Sequence, residues 1–317
     1  MKGLILYNGY SHIPQYAHQI SRFIEEFASA GVDVEAVPNN SFAFHIDDGA
    51  PVSDIGFDFC LYLDKDDYTS RMIERMGIPV FNSPQSITDC DDKMSTYILL
   101  SGNGIGMPDT TPGPLFYDPG MDVDDASVDV LEQRYGYPMV VKESFGSSGN
   151  GVYLVHDRDE LKGRMTALRG RKYLVQRFID TSIGEDLRVI VIGGKVIGGM
   201  IRHSDSDFRS NAALGGRTIQ YDVPEVSRVI SEKVSNLLGL DYCGIDLLRD
   251  GSGEYSIVCE VNSNAFFSAF EESTGINVAG AYVRHILSVL ENRAGRGLCD
   301  KNINNQVQSP PGDSIGS

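Results

Sequence analysis

A lysine at the end of an apolar stretch is followed by glycines and serines, in the run Val140-Val141-Lys142-Glu143-Ser144-Phe145-Gly146-Ser147-Ser148-Gly149-Asn150-Gly151. Glycines permit positive φ and close backbone approach, so amide N–H groups and the Ser147 and Ser148 hydroxyls can face a phosphate while Lys142 supplies charge. The pattern predicts a polyphosphate-binding loop. An ordinary glycine-rich hairpin beside a lysine is the alternative. The fingerprints G-x-x-x-x-G-K-[ST] and G-x-G-x-x-G after a strand are both missing, so neither a P-loop nor a dinucleotide site is supported.

Three oxygen-bearing side chains lie in or at the ends of two predicted strands late in the chain. Asp246 falls within the predicted strand 242–248. Glu260 and Asn262 close the predicted strand 255–261 and, being two residues apart, face the same side. If the strands pair, the three side chains converge, and oxygen ligands of this kind suit Mg²⁺. An ion would also compensate the charge of Asp246 among its apolar neighbours. A solvated sheet edge with scattered acids is the alternative.

Cationic residues are spread over the predicted strands and loops between these two regions. A polyphosphate undergoing transfer needs cations where negative charge develops, and Arg188, Arg202 and Arg209 are candidates. Each arginine alone is typical of a protein surface. Together with Lys93 and Lys142, they indicate a positive site in a negatively charged protein. Since the histidines lack H-x-x-x-H spacing and no G-x-S-x-G occurs, zinc and hydrolase functions are weakly supported.

Composition excludes several classes of protein. The net charge is −17, from 27 Lys+Arg against 44 Asp+Glu residues, which opposes neutralisation of many nucleic-acid or lipid phosphates. The five cysteines form no C-x-x-C pair, which favours a reducing compartment, and no apolar run approaches bilayer-spanning length. We therefore expect a cytoplasmic protein without a nucleic-acid or membrane partner.

The chain of 317 residues is long enough for two or three folded units. Strands at 3–8, 32–37, 57–63 and 78–81 alternate with helices at 15–30 and 68–76, which predicts a doubly wound parallel sheet in an α/β fold. Polar segments at 8–12 and 82–84 follow predicted strands, where they suit either substrate binding or turn formation.

Two predicted α+β units follow the first sheet. A helix is predicted over 91–100, an exposed connection over 108–120, and strands at 138–142, 151–155 and 173–179. The strands 186–192 and 195–203 meet at a two-glycine hairpin turn, and the polar segment 204–216 suits a binding loop. We expect units at 1–88, 89–180 and 181–292 and a disordered tail at 293–317.

The order of these segments resembles an ATP-grasp ligase of the RimK-like, glutamate-ligase branch. The resemblance covers about residues 1–290 and rests on the following parts in order: Asp92-Lys93, the Lys142 loop, Val175-Gln176-Arg177-Phe178-Ile179, Gly184-Glu185-Asp186-Leu187-Arg188, Phe208-Arg209-Ser210-Asn211, Gly244-Ile245-Asp246-Leu247-Leu248 and Glu260-Val261-Asn262-Ser263. It implies a three-unit ATP-grasp fold in which the second and third units, both α+β, clamp ATP.

The resemblance also implies roles for individual residues. Among the implied nucleotide-binding residues, Lys93, Lys142, Ser147 and Ser148 are at the phosphates, and Gln176, Arg177, Phe178 and Ile179 form the adenine hinge. Asp186 supports the ribose side, and Arg188 belongs to the same set. Arg209, Ser210 and Asn211 close over the nucleotide. Asp246, Glu260 and Asn262 would hold Mg²⁺, with Mn²⁺ as an alternative ion. Arg202 and Arg209 are the candidates for stabilising charge during catalysis.

The implied reaction joins a carboxylate to an amine through an acyl phosphate, with glutamate or another amino acid added to a small molecule, a peptide or a protein C-terminus. A homo-oligomer is the expected assembly. Two departures concern the hinge and the acceptor: Arg177 stands where many relatives have an acid, and 264–267 replaces Ser-Pro-Gly near the implied acceptor site. A non-catalytic ATP-binding regulatory module, and ligation to a thiol or a D-amino acid, remain alternatives.

Overall fold

The computed structural model describes residues 1–118, 120–146, 149–210 and 217–307, with side chains as far as residue 295. The elements of its first part are β1 (Lys2–Tyr7), α1 (Pro14–Ser29), β2 (Asp33–Pro38), β3 (Phe44–Asp47), β4 (Ala50–Ser53), β5 (Phe59–Tyr62), α2 (Asp67–Arg75) and β6 (Val80–Phe81). Strands pair in parallel in the order β2-β1-β5-β6, so the predicted doubly wound sheet is confirmed. The antiparallel hairpin of β3 and β4 was not predicted.

The residues of β1 show why this sheet forms. Leu4, Ile5 and Leu6 are all fully buried, since a parallel strand with structure on both faces has no solvent side. Helix α1 places Phe23 and Phe27 in the core, while Asp66 caps α2 by accepting hydrogen bonds from two backbone amides.

The second part is built on an antiparallel sheet. Its elements are α3 (Pro84–Asp91), α4 (Lys93–Leu100), β7 (Thr110–Pro112), α5 (Asp125–Tyr135), β8 (Met139–Glu143), β9 (Val152–Val155), α6 (Arg158–Ala167) and β10 (Tyr173–Arg177), with strand order β7-β10-β8-β9. The helix predicted over 91–100 is confirmed as α4, which begins at Lys93, and the preceding helix α3 was not predicted. Asp92 has extended backbone (φ −88°, ψ 102°) and caps α4 through the amides of Met94 and Ser95, which ends α3.

The third part holds a larger antiparallel sheet. Its elements are β11 (Glu185–Ile192), β12 (Lys195–His203), β13 (Arg217–Tyr221), α7 (Glu225–Leu237), β14 (Tyr242–Arg249), β15 (Tyr255–Asn262), α8 (Ser268–Thr274) and α9 (Val278–Val307), with strand order β13-β12-β11-β14-β15. Strand β13 and helices α8 and α9 were not predicted. The predicted pairing of 242–248 with 255–261 is confirmed.

Helix α9 corrects the expected tail. Disorder was expected from residue 293, but the helix continues to Val307. The sequence has no proline between these positions to interrupt backbone hydrogen bonding, and the first is Pro310. Residues 308–317 of the expected tail lie outside the described residues.

The first sheet and the third sheet share one hydrophobic core. Phe23 and Phe27 of α1 lie in the same cluster as Ile190 of β11, Phe267 and Tyr282. Phe23 contacts Phe267 and Tyr282 edge-on, with ring centroids 5.4 and 6.0 Å apart. The sheet around β8 and β10 has a separate core, drawn from residues 123–175. The third part is therefore joined rigidly to the first, and it meets the second across a different surface.

Asn82 adds a polar connection between the first and third parts. Its side chain is 2% exposed and donates to the carbonyls of Tyr242 (2.8 Å) and Ser263 (2.7 Å). Its Oδ1 accepts from the amides of Asp241 (2.6 Å) and Tyr242 (3.0 Å). The polar segment 82–84 is therefore structural, and Ser83 caps α3.

Replacing Asn82 by alanine should lower the free energy of unfolding by roughly 3 kcal/mol, because buried amide and carbonyl groups lose their partners. Urea denaturation checks the value. Gln85→Ala, which removes an exposed amide three residues away, is the control and should change stability little. Equal effects of both substitutions would contradict the structural role of Asn82.

Candidate active site

A cleft of about 770 Å³ separates the sheet of the second part from the sheet of the third. It is lined from the second part by Lys93, Val140, Lys142, Gly149, Val152, Gln176, Arg177, Phe178 and Ile179, and from the third by Ser182, Glu185, Asp186, Arg202, Phe208, Arg209, Ser210, Asp246, Leu248, Cys259 and Glu260, among others. Most of the residues predicted to bind a nucleotide or an ion therefore meet in one space.

Two lysines reach the cleft from the second part. Lys142 is the next-to-last residue of β8 and is 8% exposed, with Nζ 3.6 Å from Sγ of Cys259. Lys93 lies in the first turn of α4, where a cation opposes the helix dipole. Its Nζ donates to the carbonyl of Gly146 (2.9 Å) and lies 3.5 Å from Oε1 of Glu260. These contacts explain a lysine at that helix position.

The third part contributes a network of acids and arginines on adjacent strands. Asp186 lies opposite Arg202, and Asp246 lies opposite both Arg188 and Glu260. Arg202 donates from Nε to Asp186 (2.7 Å), and its Nη2 also lies 2.8 Å from Asp246. Arg188 donates to both carboxylate oxygens of Asp246. We call Asp186, Arg188, Arg202, Asp246 and Glu260 the charge ladder.

Ionisation in the charge ladder is set by burial and by the two arginines. Burial acts against charge on Asp246, but Arg188 and Arg202 outweigh it, so the pKa of Asp246 is lowered. Burial raises the pKa of Asp186 despite its contacts with Arg202 and the Ser210 hydroxyl. Burial would lower the pKa of Arg202, but the two aspartates raise it, which keeps this residue charged.

The predicted ion ligands are close together but differ in their surroundings. Within the described ranges, no group of three or more His, Cys, Asp or Glu is arranged to hold a metal ion. Asp246 and Glu260 face the cleft. Asn262 lies opposite Gly244, and its Nδ2 is buried without a hydrogen-bond partner among the described residues. Two carboxylates and an amide oxygen are hard ligands that fit Mg²⁺, whereas the unpartnered Nδ2 of Asn262 is a hydrogen-bond donor and not an ion ligand. Asn262 is not among the described residues that line the cleft.

The predicted hinge lies at the end of β10. Gln176 is 1% exposed and donates to the hydroxyl of Thr110 (2.8 Å). The Arg177 side chain instead bonds Asp109 (2.9 Å) and the carbonyl of Arg134 (3.1 Å), with its guanidinium over the Tyr135 ring. Because its charge is compensated there, a cation at this position is compatible with an apolar hinge.

The loop after β12 crosses to the second part. Arg209 pairs with Asp207 and donates from Nη1 to the carbonyl of Gly149 in the glycine-rich loop (2.7 Å). Phe208 contacts Phe178 of the hinge edge-on, at 6.3 Å between centroids. Ser147, Ser148 and Asn211, all predicted to bind nucleotide, lie outside the described residues.

Some predicted and expected residues have other positions. Arg188 is not among the residues that line the cleft; it lies behind Asp246 and supports it. The segment 264–267 was expected near the acceptor, and this stays a prediction. In the structure Asn264 donates to the carbonyl of Leu63 (2.8 Å) and Phe267 is fully buried in the core shared with α1, so the segment also packs between units.

Sequence reasoning missed Cys259, Glu185 and Ser182, which also line the cleft. Cys259 precedes Glu260, and strict alternation would place the two side chains on opposite faces. A register shift on β15 brings both to the cleft, and no sequence signal marks it. Glu185 directly precedes Asp186, so the order of the motif could have indicated it.

Comparisons with known proteins agree with this geometry. A family model described as the RimK-like ATP-grasp domain matches residues 90–286. Human N-acetylaspartylglutamate synthase A is 38% identical over 232 residues, which are 73% of this chain and 58% of that protein. Human beta-citrylglutamate synthase B is 38% identical over 229 residues, 72% of this chain and 58% of that protein. The chain thus spans less than two thirds of the length of these synthases.

A bacterial relative and two solved structures complete the picture. A probable alpha-L-glutamate ligase of Halorhodospira halophila is 36% identical over 219 residues, 68% of this chain and 69% of that protein. A RimK domain ATP-grasp protein of Sphaerobacter thermophilus superposes with a TM-score of 0.68 at 21% identity, covering 90% of this chain and 100% of that chain. D-alanine–D-alanine ligase of Bacillus anthracis, complexed with ATP, gives 0.69 at 19% identity, covering 93% and 99%.

The fold is therefore that of the ATP-grasp ligases, with the cleft between its second and third parts. Within that class, the chain belongs to the family of RimK-like ATP-grasp domains.

Asp246→Asn should lower the free energy of unfolding by about 3 kcal/mol at neutral pH, because it leaves Arg188 buried and incompletely paired. The pKa of Asp246 is lowered in the folded protein, so its contribution is present above the unfolded pKa and is lost as pH falls through the folded one. The difference from wild type should hold above about pH 5 and shrink below about pH 4.

Urea denaturation at several pH values measures this difference. Asp205→Asn is the control, since Asp205 is exposed and pairs with Arg217 at the surface. A difference for Asp246→Asn that grows as pH falls would contradict the assignment.

Proposed function

We propose that the protein is an ATP-dependent ligase that joins a carboxylate to an amine through an acyl phosphate. The observation that carries the proposal is the meeting of Lys93, Lys142 and Arg202 with Asp246 and Glu260 in one cleft between two sheets. Two lysines on one wall, and an arginine with the proposed ion-binding acids on the other, match the needs of phosphoryl transfer, in which positioning and charge stabilisation supply most of the catalysis. The named relatives are ligases and synthases.

The nucleotide would lie along the cleft from the hinge to the lysines. Gln176, Arg177, Phe178 and Ile179 would receive the adenine, largely through backbone groups, since the Arg177 side chain is held by Asp109. Lys93 and Lys142 would contact the phosphates, together with Ser147 and Ser148. Asp186 would contact the ribose side of the nucleotide. Arg209, Ser210 and Asn211 would close over the nucleotide.

Asp246, Glu260 and Asn262 would hold Mg²⁺, or Mn²⁺ in its place. The ion, when bound, neutralises charge on the phosphate oxygens. Arg188 keeps Asp246 ionised and oriented, and Lys93 keeps Glu260 close to the phosphate side.

The reaction begins when the substrate carboxylate attacks the γ-phosphorus of ATP, forming a C–O–P linkage and releasing ADP. The amine then attacks the acyl carbon, phosphate leaves with the C–O electron pair, and the amine loses a proton. Two anions must approach in the first step, so Arg202 and Arg209 are placed to reduce their repulsion. The contacts of Arg202 use Nε and Nη2; among the described residues, Nη1 has no partner and is left for a ligand.

Glutamate is the proposed amine. It appears in the names of the human synthases and of the bacterial ligase, although this chain spans only about 58% of the synthases' length. The carboxylate would be a small molecule such as an N-acylated amino acid or a tricarboxylate, or the C-terminus of a peptide or protein.

The proposal places the protein in the cytoplasm, since the four cysteines whose side chains are described are free thiols. In the part of the chain that the structure describes, none of the helices is both long and apolar enough to cross a bilayer. Assembly into a homo-oligomer stays a prediction.

Lys142→Ala and Glu260→Gln should each lower kcat for ADP formation at least about 100-fold, because each removes a group that faces the transferred phosphate or its ion. A coupled ADP assay measures the loss, and circular dichroism confirms folding. Lys195→Ala and Glu254→Gln remove one exposed lysine and one exposed acid elsewhere and serve as matched controls. Full turnover by either cleft variant would contradict the proposal.

Substrates can be identified by phosphate release from ATP in pairwise mixtures. Glutamate and other amino acids should be paired with N-acetylaspartate, citrate and short peptides, and products identified by mass spectrometry. We expect release that requires both a carboxylate and an amine, with the largest rate for glutamate. ATP binding without turnover across the whole panel would indicate a regulatory nucleotide-binding module instead.

A further inference from the structure

Strand β15 contains a bulge at the point where it enters the cleft. Asp246 lies opposite Glu260, whereas the next residue, Leu247, lies opposite Val258, so Cys259 is the extra residue. A β-bulge changes the direction in which the neighbouring side chains point, because two residues on one strand lie opposite a single residue on the other. Cys259 and Glu260 consequently both face the cleft, with Sγ of Cys259 3.6 Å from Nζ of Lys142. The placement of Glu260 relative to the phosphate-side lysines thus depends on this irregularity.

The bulge is held by Tyr97. This tyrosine is 6% exposed, and its hydroxyl donates to the carbonyl of Cys259 at 2.6 Å. Burial raises the pKa of Tyr97 to about 12, so the phenol keeps the proton that it donates. The hydrogen bond ties helix α4 to the extra residue of the bulge that lies next to Glu260.

The N-terminal end of helix α4 is held by contacts with other residues of the second part. The amide of Lys93 donates to the carbonyl of Ser144 (3.0 Å), and Lys172 pairs with the capping residue Asp92 (3.1 Å). Further along the helix, Leu100 is fully buried in the core of the third part. Lys93 and Tyr97 are one turn apart on this helix, so Lys93 can contact Glu260 while Tyr97 contacts Cys259 on the same short segment of β15.

A small cavity lies beside the bulge. It is lined by Cys90, Lys93, Thr96, Tyr97, Val258, Cys259, Glu260 and Val261 and has only about 10 Å³ of free volume, so the surrounding side chains nearly fill it. The hydrogen bond from Tyr97 lies in this packed region, and its loss would leave the Cys259 carbonyl without that partner.

We propose that Tyr97 is a positioning residue for the ligase reaction: its hydroxyl fixes the Cys259 bulge so that Glu260 stands opposite Asp246 and within reach of Lys93. The inference rests on the proposed function for its catalytic consequence, but the geometric part stands on the contacts alone. A purely structural role would require only that the phenol find some buried partner. The positioning role requires that the partner be the residue that sets the geometry of the cleft.

Tyr97→Phe tests this proposal, because it removes the hydroxyl and keeps the ring. We expect kcat to fall about tenfold or more, because misplacing Glu260 relative to the phosphates costs rate. The KM for ATP should change by less than about threefold, because the adenine hinge lies on the wall of the cleft opposite Glu260. Tyr242→Phe is the matched control. Tyr242 is 2% exposed and its hydroxyl also donates to a backbone carbonyl, that of Ala265, at 2.6 Å, outside the cleft.

A second readout does not depend on turnover. Alkylation of Cys259 by N-ethylmaleimide, followed by peptide mass spectrometry, should be slow in the wild-type protein, since the thiol is only partly exposed in the wall of the cleft, 3.6 Å from Nζ of Lys142. It should be about fivefold or more faster in Tyr97→Phe, because the released bulge exposes the thiol. The buried Cys60 and Cys243, which do not line the space beside Tyr97, are internal controls and should keep their rates.

The outcomes separate the two proposals. A fall in kcat with faster Cys259 alkylation in Tyr97→Phe, and neither change in Tyr242→Phe, supports the positioning role. Equal changes in both variants, or an unchanged Cys259 rate in Tyr97→Phe, overturn it. If the wild-type protein shows no ATP-dependent ligation with any substrate pair, the proposed function fails, and the alkylation rates alone decide the role of Tyr97.

Discussion

The charge ladder is the constraint on which the rest of the structure depends. Asp246 and Glu260 stand directly opposite each other on adjacent strands, and like charges in such a pair destabilise a sheet. Asp246 is almost fully buried, so its carboxylate also loses hydration. Arg188 and Arg202 offset both costs from the neighbouring strands. Removing either arginine would leave an arrangement of acids that this sheet could not hold.

Four adjacent strands, β12, β11, β14 and β15, have to be in register for the charge ladder to form. Arg202 reaches Asp246 across the strand that carries Asp186, which requires β12, β11 and β14 to be adjacent in that order. The opposite wall of the cleft, in the second part, contributes two lysines: Lys142 near the end of β8 and Lys93 at the start of α4. The first sheet contributes none of the residues that line the cleft among those described, and instead buries the back of the third part through α1 and Asn82.

Much of this organisation is readable from the sequence, because apolar periodicity and glycine turns indicate most strands and their order. The meeting of Asp246 and Glu260 at the cleft was also predictable, since Glu260 closes one strand and Asp246 interrupts the apolar run of its neighbour, whereas their role as ion ligands stays a prediction. The short strand β13 and the hairpin of β3 and β4 carry no strong alternation, and they depend on tertiary pairing. The break at Asp92 and the bulge at Cys259 arise from a cap and a cross-strand register, which no local pattern specifies. Asn264 could be assigned to packing only once its partner Leu63 was known.

Under the proposed function, the same network accounts for how a protein of net charge −17 would present cations to a polyphosphate. At distances beyond about 10 Å the acidic surface opposes an anion, although salt screens much of that repulsion. Within the cleft the relevant groups are a few angstroms away, and they are already in place before a ligand arrives. Lys93 is held by the Gly146 carbonyl, and Arg202 by Asp186. Preorganised charges of this kind need little rearrangement during the reaction, and this lowers the barrier more than a flexible excess of positive charge at the surface would. An acidic protein therefore loses nothing in catalysis by confining its cations, provided that each has an anionic or carbonyl partner which fixes its position.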